Sequence, residues 1–376
     1  MWSTGSGGAR PIRIVILNWR DTCSPRSGGA ERVTHDVAKG LAARGHEVTW
    51  FSSRVDGRPD EESLDGVSIV RRGGEATTRL YAPRFVRRLA PDVVLEEINT
   101  LPYLAPLWCE QPVLLYMNQL AREVWFYEAP FPIALAGWAS EPLYLRAYRQ
   151  CDAITISRSS RDDFSSLGFG GRITVTPLAV DAERALALSA KPHTGALIAI
   201  GRLTPSKRYD DAIRALAELR VHRTAATLTL IGDGKERGRL EQLADRLGVS
   251  EAVTFLGRAS ETEKLRALDD ADVLVGTSVR EGWGLTVTEA AMRGTPSVVY
   301  DIPGFRDAVI PGRTGLLVEQ DPSSLARGVE SLLDDVPLFE RMRTAAWQTA
   351  APSGHAATVD SFEAALRAVL TDRLRG

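Results

Sequence analysis

Residues 280–300 read REGWGLTVTEAAMRGTPSVVY. Gly282 and Gly284 are too flexible for a helix interior, so a helix is expected to begin near Leu285, run through LTVTEAAMR and stop at Gly294. The apolar SVVYD that follows reads as a buried strand. A strand-end loop, a helix and a strand in succession form the repeating unit of a parallel α/β sheet. Glu281 stands on the loop, and Glu289 lies about one turn inside the helix. The unpaired N–H groups of that first turn are a seat for an anion, which the two carboxylates flank without occupying. Two acids at a partly buried site are costly to gather unless something binds there.

The same rhythm extends in both directions. IRIVILNW (12–19), HEVTWFSS (46–53), DVVLEEI (92–98), PVLLYMN (112–118) and DAITIS (152–157) read as buried strands separated by helical patterns such as AERVTHDVAKGLAARG (30–45). It restarts with ALIAIGRL (196–203), ATLTLIGDG (226–234), AVTFLG (252–257), ADVLVGTS (271–278) and SVVYD (297–301). The stretch 174–195 loses the pattern and is the expected linker. Two Rossmann-like domains follow, 1–180 and 181–354, with a helix at 355–376 packing back on the first.

In such sheets ligands bind beyond the carboxyl ends of the strands, and the informative residues stand there. Arg202 and Lys207 follow ALIAIG, with Ser206 as an expected helix cap. Two cations beside a helix start call for an anion, the alternative being two solvated surface charges. Gly232 and Gly234 follow TLTLI and permit a tight turn and the close approach of a flat ligand. Arg258 follows VTFLG. Sugar hydroxyls donating to the two acids, with phosphates at the helix start, would suit a nucleotide sugar. The alternative, Glu281 capping the helix and Glu289 facing water, leaves unexplained why four consecutive strand ends converge on one ligand type.

Composition narrows the class. The chain has 376 residues, 44% hydrophobic and 25% charged, with a net charge of -2, which gives no general pull toward nucleic acid. Cys23, Cys109 and Cys151 lack metal-like spacing and suit a reducing cytoplasm. MWSTGSGGARP reads as a polar leader, and GSGGAR at 5–10 precedes its strand, so it is not a dinucleotide fingerprint. APFPIALAGWA (129–139) is too short and proline-broken to span a bilayer. Peripheral membrane contact stays open.

GRLTPSKRYD, IGDGKER, FLGR, EGWGLTVTE with AAMRGTPSVVYDIPGFRDAV, and GRTGLLV, together with SGGAERVTHDVAKGLAARGHEVTWF, resemble the retaining glycosyltransferases of family 4, GT-B fold, over almost all of the chain. The resemblance implies that Arg202 and Lys207 hold the donor diphosphate and that Gly282, Gly284, Leu285 and Thr286 lie along it, the last three offering N–H groups. It implies that Glu289 accepts from the ribose and that Glu281 faces the donor sugar. Gly232, Gly234 and Arg258 would contact the base, and Gly28 and Gly29 would form a loop over the phosphates and acceptor. No metal and no other cofactor is implied. At the position of Asn118 the family usually has a histidine that contacts the donor sugar; an amide can make such a contact but cannot titrate.

The implied reaction moves a sugar from a UDP- or GDP-sugar to a hydroxyl acceptor on the same face, the leaving phosphate taking the acceptor proton. A non-catalytic nucleotide-sugar binder and a nucleotide-sugar epimerase are the alternatives. The acceptor is open among a glycan, a lipid-linked saccharide and a small metabolite. Six arginines from Arg71 to Arg88 would meet anionic lipid or a phosphorylated acceptor, or form a solvated helix face. Trp125, Phe126, Tyr127, Phe131 and Trp138 would line an acceptor channel, or pack as ordinary core.

Overall fold

The computed structural model describes residues 10–178, 180, 183–191, 193–350 and 354–373. The leader at 1–9, the expected domain boundary at 181 and part of the break before the last helix lie outside the described residues.

The first sheet comprises β1 (Arg13–Leu17), β2 (Glu47–Ser52), β3 (Glu61–Leu64), β4 (Val67–Arg71), β5 (Val93–Glu97), β6 (Val113–Tyr116), β7 (Ala153–Thr155) and β8 (Ile173–Val175). Between these strands lie α1 (Gly29–Ala43), α2 (Thr78–Leu89), α3 (Val124–Glu128), α4 (Phe131–Leu145) and α5 (Arg158–Ser166). The spatial order is β3-β4-β2-β1-β5-β6-β7-β8, parallel except for β3 against β4. The second sheet comprises β9 (Ala196–Ile200), β10 (Thr227–Ile231), β11 (Val253–Gly257), β12 (Val273–Gly276), β13 (Ser297–Tyr300) and β14 (Gly315–Val318). Its helices are α6 (Tyr209–Leu219), α7 (Arg237–Arg246), α8 (Glu261–Asp270), α9 (Leu285–Met292), α10 (Phe305–Ala308), α11 (Pro322–Asp334) and α12 (Val336–Thr349). The order is β11-β10-β9-β12-β13-β14, all parallel.

Both sheets are doubly wound. Ile14, Ile16, Val93 and Leu95 pack on the α1 side, while Val15, Leu17 and Val94 pack on the α2 side. Burial on both faces is why these strands are unbroken apolar runs. Strand order reverses between β1 and β5 in one sheet and between β9 and β12 in the other. Each reversal opens a crevice at the carboxyl ends of the strands.

A last helix, α13 (His355–Arg373), packs on the first sheet's core rather than the second's. Gly40 of α1 leaves room for Val359, and the Phe362 ring meets Tyr116 edge-on at 5.0 Å. Arg44 binds Asp360 at 2.6 Å and Glu363 at 2.7 Å, and hydrogen bonding from Arg44 pulls the Glu363 carboxyl down to about 2.

Four sequence expectations change. Arg71 does not belong to an arginine stripe: it is a fully buried strand residue paired with Asp21 at 2.7 Å and Glu62 at 2.6 Å. Arg72 pairs with Glu61, and Arg79 donates to the Leu101 and Pro102 carbonyls, leaving Arg84, Arg87 and Arg88 as the exposed cations of α2. Ser206 is not a helix cap; it sits inside a short 3-10 turn, Pro205–Lys207, and α6 starts after Arg208. The aromatic run is not core either: Phe126, Tyr127, Phe131 and Trp138 are exposed. Finally, much of the expected linker is strapped to the second domain. Ala185 N–H donates to the Met292 carbonyl, and Lys191 is buried against the Leu268 and Asp269 carbonyls and Thr295.

Candidate active site

The second sheet builds its side from strand-end loops. Gly201, at φ 148°, turns the chain after β9 and exposes Arg202. The glycines at 232 and 234 serve backbone packing: a side chain at either would clash with the Gly201 or Leu203 carbonyl. Leu203 N–H to Asp233 O at 3.0 Å and Gly232 N–H to Gly257 O at 2.8 Å tie three loops together, which places Arg258 exposed on the same rim. That is a different reason for the glycines from close approach of a ligand, and it fixes where Arg202 stands.

After β12, Thr277 Oγ1 donates to the Lys207 carbonyl at 2.7 Å and Val279 N–H to Ser206 O at 2.9 Å. These bonds bring Lys207 against the loop that carries Glu281. The Lys207 ammonium pairs with Glu281 Oε1, which also accepts from Ser278 Oγ at 2.6 Å. Gly284 is the N-cap of α9 at φ 105°, a conformation suited to glycine, and Phe305 leaves no space there for a Cβ. Glu281 therefore does not cap the helix. The intrahelical ladder starts with Val287 and Thr288 N–H donating to Gly284 O, so the N–H groups of Leu285 and Thr286 precede it. Glu289 has a different partner, Lys264 of α8, at 2.7 Å; burial holds its carboxyl above the ordinary range.

The first sheet supplies the facing wall. Gly28 caps α1, with its N–H donating to Glu31 Oε2 at 2.8 Å. A Cβ on Gly28 would lie 4.0 Å from Arg202 Nε, and one on Gly29 would lie 3.2 Å from Leu285 Cδ1. Both glycines thus abut Arg202 and Leu285 across the cleft. Asn118 lies beyond β6; its carbonyl accepts from Ser160 Oγ at 2.7 Å and would be 3.0 Å from a Cβ on Gly282. The Asn118 side-chain Oδ1 is buried without a hydrogen-bond partner.

Several residues that the sequence reading passed over join this wall. Arg20 stacks on Trp19, its guanidinium carbon 4.7 Å from the ring centroid, and pairs with Glu31 at 2.8 Å. Burial and, after the opposing pull of Glu31, Arg202 across the cleft lower its basicity. Behind it, Glu97 Oε2 accepts from Asn18 Nδ2 at 2.8 Å and Thr34 Oγ1 at 2.7 Å, while Oε1 has no partner. Burial, then the neighbouring Glu31 carboxylate, pushes Glu97 up to about 8. Asn18 and Glu97 stand at the β1/β5 switch point, opposite Arg202 and Glu281 at the β9/β12 switch point. Polar contacts latch the walls together: Glu128 of α3 accepts from Ser206 Oγ at 2.6 Å and pairs with Lys235 at 3.2 Å, and Arg280 pairs with Glu123 and Asp163.

Two parallel-sheet domains facing each other over basic loops and a helix start define a GT-B sugar-transferring enzyme. The chain belongs to the family-4 glycosyltransferases: residues 27–184 match the model described as Glycosyltransferase Family 4, and residues 188–349 that described as Glycosyl transferases group 1. It is 30% identical to glycogen synthase of Mycobacterium tuberculosis, over 90% of this chain and 92% of that one. Its fold is similar to sucrose-phosphate synthase of Thermosynechococcus elongatus at a TM-score of 0.78 and 18% identity, covering 96% of this chain and 99% of that one. It is also similar to Anabaena HepE in complex with UDP-glucose, at a TM-score of 0.70 and 18% identity, covering 96% of this chain and 100% of that one.

Proposed function

We propose that this glycosyltransferase moves a hexosyl or related sugar from a UDP- or GDP-sugar to a hydroxyl acceptor with retention of anomeric configuration. The observation that carries the proposal is the Lys207–Glu281 pair set beside the unpaired N–H groups of α9, with Arg202 facing Gly28 across the cleft. Arg202, Lys207 and the N–H groups of Gly284, Leu285 and Thr286 hold the diphosphate and take up its charge as it leaves, so no divalent metal is required. Glu289 accepts from the ribose; Glu281 orients the sugar. Gly232, Gly234 and Arg258 border the base, and Gly28 and Gly29 close over the phosphates. The acceptor oxygen bonds to the anomeric carbon on the face from which the diphosphate departs. The broken C–O bond leaves its electrons on the diphosphate, whose oxygen takes the acceptor proton. The HepE complex with UDP-glucose supports a nucleotide-sugar donor in this cleft. A cytoplasmic location with peripheral membrane contact belongs to the same reading.

The test is a screen of UDP- and GDP-sugars for nucleotide release, with and without acceptor mixtures, and with a chelator. Acceptor-dependent release, an α-linked product from an α-linked donor and indifference to the chelator are expected. Isomerised or hydrolysed sugar without acceptor would identify an epimerase instead, and binding without turnover would identify a donor-binding protein. Because Asn118 only orients the sugar in this scheme, Asn118→His should change turnover by no more than about a hundredfold. Histidine activating a wholly inert protein would overturn the scheme.

A further inference from the structure

Helix α4 is inside out. Its one charged residue, Glu141, is buried and accepts from Ala121 N–H at 2.6 Å and Arg122 N–H at 2.8 Å. The other inward positions are Ala134, Gly137 and Leu145, with Trp125 lying against Gly137. Five of its large apolar side chains point to solvent: Phe131 is 71% exposed, Ile133 and Leu143 58%, Leu135 44% and Trp138 42%. Phe126 and Tyr127 of α3 are exposed as well, Phe126 lying 6.3 Å from the Trp138 ring. A solvated helix does the reverse, keeping charge outside and its large apolar residues inside. Contiguous exposed apolar surface of this kind marks an interaction site.

The surroundings choose the occupant. α2 packs on the same face of the first sheet and is joined to α4 through the segment after β5, where Arg79 donates to Leu101 O and Tyr144 of α4 to Thr100 O. The outward residues of α2 include Leu80, Arg84, Arg87 and Arg88, and the helix contains no acid. Exposed Arg146 follows α4 directly. Acids adjoining α3 and α2 in the chain are paired elsewhere: Glu123 and Glu128 of the α3 segment bind Arg280, Ser206 and Lys235 of the second domain, and Glu75 binds Arg26. A two-fold contact between copies would set the acid-free, cationic α2 against itself. An anionic lipid surface complements both the charge and the apolar face.

We propose that the outward face of α4, with Arg84, Arg87 and Arg88 of α2 beside it, docks on the surface of an anionic phospholipid bilayer. α4 lies in the interface, about 22 Å of helix, too short to cross and with its inward face already packed on the protein. No helix among the described residues is long and apolar enough to span a membrane. Because α3 holds Ser206 and Lys235 through Glu128, docking brings the cleft mouth close to the lipid headgroups.

The test is flotation of the full chain with vesicles of phosphatidylcholine, and of phosphatidylcholine mixed with phosphatidylglycerol, without donor or acceptor, so its outcome does not depend on the transfer reaction. The wild type should float with the anionic vesicles and detach as salt rises. Combined Phe131→Ser, Ile133→Ser and Leu143→Ser should weaken binding by at least about tenfold, since all three are exposed and their apolar surface enters the interface. Combined Arg84→Gln, Arg87→Gln and Arg88→Gln should weaken it by about fivefold per charge removed. Circular dichroism and urea midpoints like the wild type's confirm that the variants fold. Wild-type chain that leaves both vesicle types unbound, or a serine variant that binds as tightly as wild type, overturns the proposal. So does light scattering showing a dimer that the serine variant splits, which would assign the face to a second copy.

Discussion

At the ends of β9 and β12 the second sheet meets the cleft with cations, main-chain N–H groups and a carboxylate already paired to a lysine. At the ends of β1 and β5 the first sheet meets it with amides, an arginine and two buried carboxyls, one of which retains a proton into the neutral range. The topologies are alike, so the difference lies in what each switch point must do. An anion is held by fixed charge and fixed dipoles, which short loops between strand and helix supply. In the proposed reaction the opposite wall meets a hydroxyl acceptor and closes over phosphate, which suits polar groups whose charge is cancelled among themselves. In that scheme the second sheet attracts, while the first positions.

The largest expected effect tests the attracting half. Lys207→Ala removes a cation and leaves Glu281 unpaired where phosphate would approach, so kcat/KM should fall on the order of a hundredfold. Arg202→Ala, which strands no partner, should cost about tenfold. Steady-state kinetics and titration with nucleoside diphosphate check both. Equal, small losses would mean that the cations are surface charges.

Next in size is the Lys264–Glu289 pair. If Glu289 binds ribose similarly in ground and transition states, Glu289→Ala raises the donor KM by about tenfold with little change in kcat. If Glu281 faces the carbon where charge develops, as proposed, Glu281→Ala lowers kcat instead. The reverse split would exchange the two roles.

These two predictions draw on the half that the sequence displays well. Gly284, Leu285 and Glu289 fall within one short stretch, and the start of α9 at Leu285 and its end before Gly294 follow from glycine alone. The arginine–lysine segment and the glycine turns sit next to their strands for the same reason. The first sheet's wall combines Asn18, Arg20, Glu31 and Glu97, and no periodicity links residues drawn from three separate elements. Lys264 was hidden likewise, 25 residues before its partner. β3 and β4 were passed over because EESL is polar and Arg71 ends VSIVR, yet the Asp65–Gly66 turn between them, with φ of 52° and 83°, is a hairpin signal that the residues carry. Exposure of α4 was also out of reach: an apolar helix reads as core until its one acid is seen to face inward.

A subtler effect concerns the positioning half. Glu97 binds its proton more tightly folded than unfolded, so the unfolded chain binds fewer protons between the ordinary carboxylate range and about 8. The stability it contributes is fully present below the ordinary carboxylate value and is lost as pH rises through about 8. Glu97→Gln mimics the protonated form and keeps an acceptor for Asn18 and Thr34. It should therefore flatten the fall in urea midpoint between about pH 5 and about pH 8. A glutamine variant with the wild-type slope would remove Glu97 as the proton holder and make the two halves electrostatically more alike.

The smallest effect is expected at Thr286, and its smallness is informative. Beside its two cations, the second half is held to work through main-chain groups at the start of α9, where the N–H of Thr286 precedes the intrahelical ladder. Replacing its side chain with a methyl group leaves that N–H in place and puts a better helix former in the first turn. Thr286→Ala should then alter donor affinity and kcat by no more than about twofold, the range of a surface change of about 0.5 kcal/mol. A tenfold loss would show that the hydroxyl, not the backbone, reaches the donor. The start of α9 would then reach the donor through a side chain as well as through its N–H groups, and the contrast between main-chain donors there and side-chain groups at the first sheet's wall would fail at its most exposed point.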